Sequence, residues 1–167
     1  MVLTSSRGVL FVHSCPRALM PHLEWAMGRA IGHSTRFTWR EQNALPGTQR
    51  AEFTWKGPVG TAAVVASSLL GWEDLRFEIT EEASPGIDGG RWMHTPRLGI
   101  FHMQLDSVGN AVIPEDRLRY AMEVAGSSAH ELQQELRLAL GQAWDDELEP
   151  FRYAGDSPTV VWLRQSG

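Results

Sequence analysis

Apolar and polar residues change their spacing several times along this chain, and the changes mark its elements. Gly8 to His13 is a nearly continuous apolar run, as expected of a strand covered on both faces. Pro16 suits the first turn of a helix, with Ser14 as its cap. Leu19, Leu23, Ala26, Met27, Ala30 and Ile31 then recur at helical spacing, and Gly32 ends the run. Thr35, Phe37 and Trp39 alternate with Arg36, Thr38 and Arg40, which predicts a half-buried strand. A turn through Pro46-Gly47 leads to a second alternation, Ala51, Phe53 and Trp55 against Glu52, Thr54 and Lys56. Pro58 opens a second helix, striped by Ala62, Val65, Ala66 and Leu69. Leu75, Phe77 and Ile79 alternate with Arg76, Glu78 and Thr80 in a fourth strand.

Strand–helix–strand–strand–helix–strand is the ferredoxin-like split βαβ order. The parity puts the apolar side chains on the face the helices cover, and the charged and Thr side chains on the other. An RNA-recognition domain needs aromatics on its open sheet face. Here Phe53 and Trp55 share parity with Ala51 and point at the helices.

Beyond a Gly- and Pro-rich loop over 81–90, Arg91–His94 and Leu98–Leu105 read as a hairpin turning through Thr95-Pro96-Arg97. Pro114-Glu115-Asp116 starts a helix with acids at the positive end of its dipole. Ser128 to Glu131 is a capping-box pattern, and Leu132, Leu136, Ala139, Leu140 and Ala143 follow on one stripe that Pro150 stops. Thr159–Leu163 reads as a last short strand. The expected fold is one α+β domain over 1–167. A ferredoxin-like βαββαβ core spans 7–80, and an extension over 81–167 adds a β-hairpin, two helices and a short strand.

Bulk properties narrow the function classes. The 167 residues carry a net charge of −5, against a nucleic-acid binder, which needs a basic field. No apolar run approaches the roughly 18 residues of a membrane helix. The N-terminus shows no signal-peptide pattern, so a cytoplasmic location without membrane attachment is expected. Cys15 is the single cysteine, which excludes an internal disulfide or a cysteine zinc cluster. Lys56 is the only lysine, and no P-loop is present. Bases dominate up to Lys56 and acids from Glu115 to Glu149. Either the two halves dock on each other, or the surface is dipolar and orients a partner.

Few residues carry chemistry by pattern alone. His13, His22 and Glu24 could form an acid–base or metal cluster, although i and i+2 do not share a helix face. His94 and His102 fall in the hairpin, where a shared metal would depend on register; His102 joins His13, His22 and Glu24 as a catalytic candidate. Trp144 to Tyr153 is the densest segment, with Asp145, Asp146, Glu147 and Glu149 within five positions. With Arg97 and Arg152 these acids form the candidate binding set, either as an internal clamp or as a partner surface. Gly57-Pro58-Val59-Gly60-Thr61 leads into a helix, where backbone N–H groups could receive an anion. No metal and no cofactor is expected.

Taken together, several stretches resemble an actinobacterial family catalogued as domain of unknown function 3145. They are Gly8–Ser14, Pro21-His22-Leu23-Glu24-Trp25, Gly57–Ala62, Leu98–His102, Pro114–Arg119 and, most specific, Trp144–Tyr153. The likeness runs from about Arg7 to Leu163. It implies a cytosolic single-domain protein, associates it with the neighbourhood of fatty-acid synthesis, and brings no catalytic residues. The expectation is therefore a non-catalytic binding or regulatory module for a protein partner or small metabolite. The rival is a small enzyme with a His/carboxylate site. A homo-oligomer joined through the polar sheet face around Arg36, Glu52 and Arg76 is also possible on this pattern.

Overall fold

Glycine at position 8 lets three strands meet. A Cβ there would lie 1.8 Å from the carbonyl oxygen of Thr80, so only glycine admits the neighbouring strand. Around this contact a computed structural model, describing residues 4–154, builds one antiparallel sheet of seven strands flanked by five helices. The strands are β1 (Ser5–Pro16), β2 (Arg40–Glu41), β3 (Thr48–Pro58), β4 (Arg76–Glu81), β5 (Gly89–Thr95), β6 (Gly99–Leu105) and β7 (Ala111–Val112). Their spatial order is β2-β3-β1-β4-β5-β6-β7. The helices are α1 (Met20–Ile31), α2 (Thr61–Leu69), α3 (Glu115–Ala125), α4 (Ala129–Ala139) and α5 (Gln142–Arg152).

The main core lies between the sheet and the pair α1/α2. Leu10, Val12, Ala51, Trp55, Phe77 and Ile79 face Leu23, Met27, Val65 and Leu69, all of them buried. The parity expected from sequence holds here: Phe53 and Trp55 turn toward the helices, and Glu52 and Thr54 are exposed on the opposite face. On that opposite face α5 packs across β1 and β5. The helices α3 and α4 form a hairpin, and α4 leads into α5.

Several expected boundaries differ. Of the segment 35–40 only Arg40 joins the sheet, as the first residue of β2. Glu24 on α1 explains why: its Oε1 accepts the backbone N–H of Phe37 at 2.9 Å and the indole N–H of Trp39 at 3.0 Å. Its carbonyl accepts the Thr35 hydroxyl at 2.6 Å, so the segment is tied to the helix rather than to a strand. Ser14 does not cap α1. β1 runs through to Pro16, a 3-10 turn covers Arg17–Leu19, and Pro21 occupies the first turn of α1.

The extension holds three helices among the described residues, not two. Gly141 at φ 80° breaks the long stripe into α4 and α5. A Cβ at Gly141 would sit 2.7 Å from the Phe101 ring and 2.8 Å from Met93 Cε, so the break is a close approach to the sheet as well as a left-handed residue. Asp145 therefore lies in the first turn of a new helix, where the dipole favours it, rather than at the end of an old one. Pro150 lies inside α5, which continues to Arg152. The strand expected at Thr159–Leu163 falls outside the described residues. No described helix is long and apolar enough to cross a membrane.

Candidate functional site

Three polar devices on this scaffold decide where chemistry could take place. The first is at β4. Its outward side chain Glu78 is covered by α5, leaving 2% of it exposed, with Arg152 at 7% and Asp145 at 30%. Arg152 grips the carboxylate in a fork, Nε to Oε2 at 3.0 Å and Nη2 to Oε1 at 2.6 Å. Arg91 Nη2 donates to the same Oε1 at 2.6 Å. Asp145 Oδ1 then accepts from Arg91 at 3.0 Å and from Arg152 at 2.8 Å. Two acids and two guanidiniums close a neutral ring, which is how a buried charge is tolerated. Burial by itself pushes the Glu78 carboxyl up. The His13 hydrogen bond and the charges of His13, Arg91 and Arg152 outweigh it and hold the group well below the usual carboxylate range. The Arg152 guanidinium loses by burial but gains more from Glu78 and Asp145, and is held firmly charged.

The second device is the end of β1. Alternation with the core-facing Leu10 and Val12 puts His13 on the α5 side beside Phe11, and the register slip that follows Val12 turns Cys15 back into the core. Its ring is stacked with Phe11, and Nε2 lies 2.5 Å from Glu78 Oε2, donating to the carboxylate. The His13 carbonyl accepts Gln42 Nε2 at 2.6 Å. Gln42 is itself buried, reaches the Phe151 carbonyl at 3.3 Å, and receives the N–H of Ala44 at 2.9 Å. One amide thus ties β1, the loop after β2 and the end of α5 together.

Beside this tie lies a cavity of about 170 Å³, walled by Phe11, Val12, His13, Thr38, Arg40, Gln42, Arg50, Ala51, Glu52, Phe151 and Arg152. Arg40 and Arg50 sit directly opposite each other across β2 and β3. Neither has an ion-pair partner among the described residues. Arg50 Nη1 is buried with no hydrogen-bond acceptor. An orphaned buried donor costs about 1–3 kcal/mol.

The third device disposes of the Gly57–Thr61 turn as an anion receptor. Its anion is the protein's own: Glu81 Oε1 accepts the N–H of Gly60 at 2.7 Å and Oε2 that of Ala62 at 2.9 Å. A carboxylate at the start of α2 satisfies orphan donors and the dipole together.

The residues singled out from sequence are distributed as follows. His13 lies at the cavity wall. His22 is exposed and sets an edge against Trp72, ring centroids 4.8 Å apart. Glu24 is engaged with Phe37 and Trp39. His102 stacks on Trp92 at 4.5 Å, and partial burial lowers its pKa. These four side chains are not brought into one site. His94 Nδ1–H donates to the Leu75 carbonyl at 2.7 Å, and the ring stacks on Phe77. Of the acidic segment, Asp145 belongs to the buried ring. Glu147 pairs with Arg97 on the exposed side, and Asp146 accepts from Gln142 at 2.8 Å. Glu149 lies 3.6 Å from Arg152 Nη1. Burial raises the Glu147 carboxyl, but hydrogen bonds from Thr95 and Arg97 bring it down overall. Among the described residues no group of three or more His, Cys, Asp and Glu side chains could hold a metal ion.

The expected docking of the basic segment up to Lys56 on the acidic segment Glu115–Glu149 is not what engages Asp145 and Glu147, which pair with Arg91, Arg152 and Arg97. The buried acid that Arg91 and Arg152 share is Glu78, which lies outside both segments. Sequence reading missed Glu78, Arg91, Gln42, Arg40 and Arg50. Alternation put Glu78 on the polar face, but only the return of α5 makes that face an interior. Gln42 and the Arg40/Arg50 pairing gave no local signal. No curated protein and no solved structure matches the chain. The family described as "Protein of unknown function (DUF3145)" matches residues 9–165, nearly the whole length, and the chain belongs to it.

Proposed function

We propose that this protein is a non-catalytic binding module for a small metabolite, with the cavity between the β1–β3 sheet face and the end of α5 as its receptor. The observation that carries the reading is the cavity's construction. Its walls come from elements far apart in sequence, fixed by the Glu78–Arg152 ring on one side and by Gln42 on another. Its volume of about 170 Å³ is below the roughly 300–1,000 Å³ of drug-sized pockets, which suits a compact ligand. The scaffold belongs to the same proposal: β1–β4 with α1 and α2 form a ferredoxin-like unit, supported by the spatial order β2-β3-β1-β4 and by one helix after β1 and one after β3. On this reading the cytoplasm supplies the ligand.

Thermal-shift screening of a metabolite collection tests the reading, with Thr38→Trp as the cavity-filling control. A stabilising compound that no longer acts on Thr38→Trp supports it. A compound whose effect is unchanged by Thr38→Trp places binding elsewhere and removes the cavity from the proposal.

One observation favours a second reading as an enzyme. His13 borders the cavity while Glu78 holds its Nε2, the arrangement of an acid–base histidine with its orienting carboxylate. Metabolite consumption by the wild type that His13→Gln abolishes would replace the binding reading with this one.

A further inference from the structure

We infer that the cavity's ligand is a small anion bearing a carboxylate or phosphate group, gripped by Arg40 and Arg50. The inference rests on the small-ligand reading above and narrows its chemistry. Like charges set directly opposite on neighbouring strands repel, and here no described acid lies within ion-pair distance of either. Arg91 and Arg152, by contrast, both bond Glu78 at 2.6 Å. Arg40 and Arg50 have no such acid, which also holds for Arg29, Arg36, Arg76 and Arg137 among the described residues, but of these six only Arg40 and Arg50 line this cavity.

Arg50 Nη1 is the sharper observation. It is buried and has no acceptor, so it is a donor removed from water and left unsatisfied. A guanidinium presents paired N–H groups whose geometry matches a carboxylate or phosphate edge. The Gln42 amide and the Thr38 hydroxyl add neutral polar groups to the same wall. Glu52 is the single acid of the lining; it is exposed, as is Arg40, while Arg50 is half-buried. Arg152 also borders the space, but Glu78 and Asp145 already neutralise it. The excess positive charge facing the cavity therefore belongs to Arg40 and Arg50.

The experiment is calorimetric titration of the full chain with inorganic phosphate and, separately, with malonate, at low ionic strength. Saturable binding of at least one is expected, at least tenfold weaker in Arg50→Gln and in Arg40→Gln, with unchanged binding in Arg7→Gln. Arg7 serves as the control because its partner Glu82 lies on the exposed surface. Glu52→Gln changes an exposed side chain and keeps the inference open if Arg50→Gln fails to fold; it should tighten binding by about threefold, the scale of one solvent-screened charge. No saturable binding of either probe, equal affinity in Arg50→Gln, or no gain in Glu52→Gln overturns the inference. A neutral compound that stabilises the wild type, fails on Thr38→Trp and ignores Arg50→Gln overturns it too, while leaving the small-ligand reading intact.

Discussion

Glu78→Gln separates a clamp from a decoration. The substitution keeps the shape and removes one charge from a carboxylate that accepts four bonds. Those come from His13 at 2.5 Å, from Arg91 at 2.6 Å and from Arg152 at 2.6 and 3.0 Å. The new amide offers one acceptor and turns two N–H groups toward side chains that are themselves donors. Breaking a buried pair by removing one partner costs about 3–5 kcal/mol. Asp145 remains to hold both guanidiniums and is 30% exposed, so water softens the loss. We therefore expect the low end, about 3 kcal/mol. For a domain of this size that is a drop of about 6–12 °C in Tm. Urea unfolding followed by intrinsic fluorescence measures it directly.

The pH dependence adds a second readout. Glu78 is depressed in the fold from an ordinary value of 4.5, so its stabilisation is complete above that value. It is lost as pH falls through the depressed folded value. The gap between wild type and Glu78→Gln should be widest above pH 5 and narrow as the solution is acidified. A loss below about 1 kcal/mol, the range of surface pairs, or a gap that does not narrow in acid, would refute the account of α5 as held by this ring.

Three further outcomes follow from other sites. Burial pushes the Cys15 thiol from 9.0 up to about 12. Only the unfolded chain ionises between those values, so wild-type stability should fall with rising pH above 9, by about 1.4 kcal/mol per unit, and Cys15→Ala should flatten that slope in alkaline denaturation. Glu81→Gln weakens the anchor at the start of α2 and should cost about 1–2 kcal/mol in denaturant titration, with faster amide exchange at Gly60 and Ala62. Gly8→Ala drives a Cβ to within 1.8 Å of the Thr80 carbonyl and should cost about 3 kcal/mol or more; a variant with wild-type Tm would contradict the strand spacing.

Alternation made most of the sheet legible. Phe53, Trp55, Phe77 and Ile79 each face the helices that their parity assigns them. What the pattern could not supply was competition from a distant side chain. Residues 35–39 alternate like a strand, yet Glu24 captures Phe37 and Trp39 and holds them off the ladder. The stripe from Leu132 to Ala143 is helical throughout by spacing, and the break comes from Gly141 pressed against Phe101 and Met93, a contact invisible to local reading. The anion-receiving turn at 57–61 was recognisable from its glycines, but its occupant, Glu81, follows after an entire helix. The candidate site was the least legible part, because it exists only where four separate segments converge. His13 was marked from sequence; Arg40, Arg50 and Gln42, which complete the wall, stood in a stretch that read as a plain strand and turn.

The separation of 74 residues between Glu78 and Arg152 bears on how α5 is seated. Without α5 in place, the outer face of β4 would be wet and Glu78 an ordinary hydrated carboxylate. Its water is stripped only when α5 arrives, and α5 brings the replacement charge with it. A slip of α5 by one turn would carry Arg152 about 5.4 Å along the axis, beyond reach of the carboxylate, and would strand a bare anion in a dry interior. Apolar contacts alone tolerate such a slip more readily than this ring does. The ring thus selects one seating of α5 and, with it, one shape for the cavity at its end.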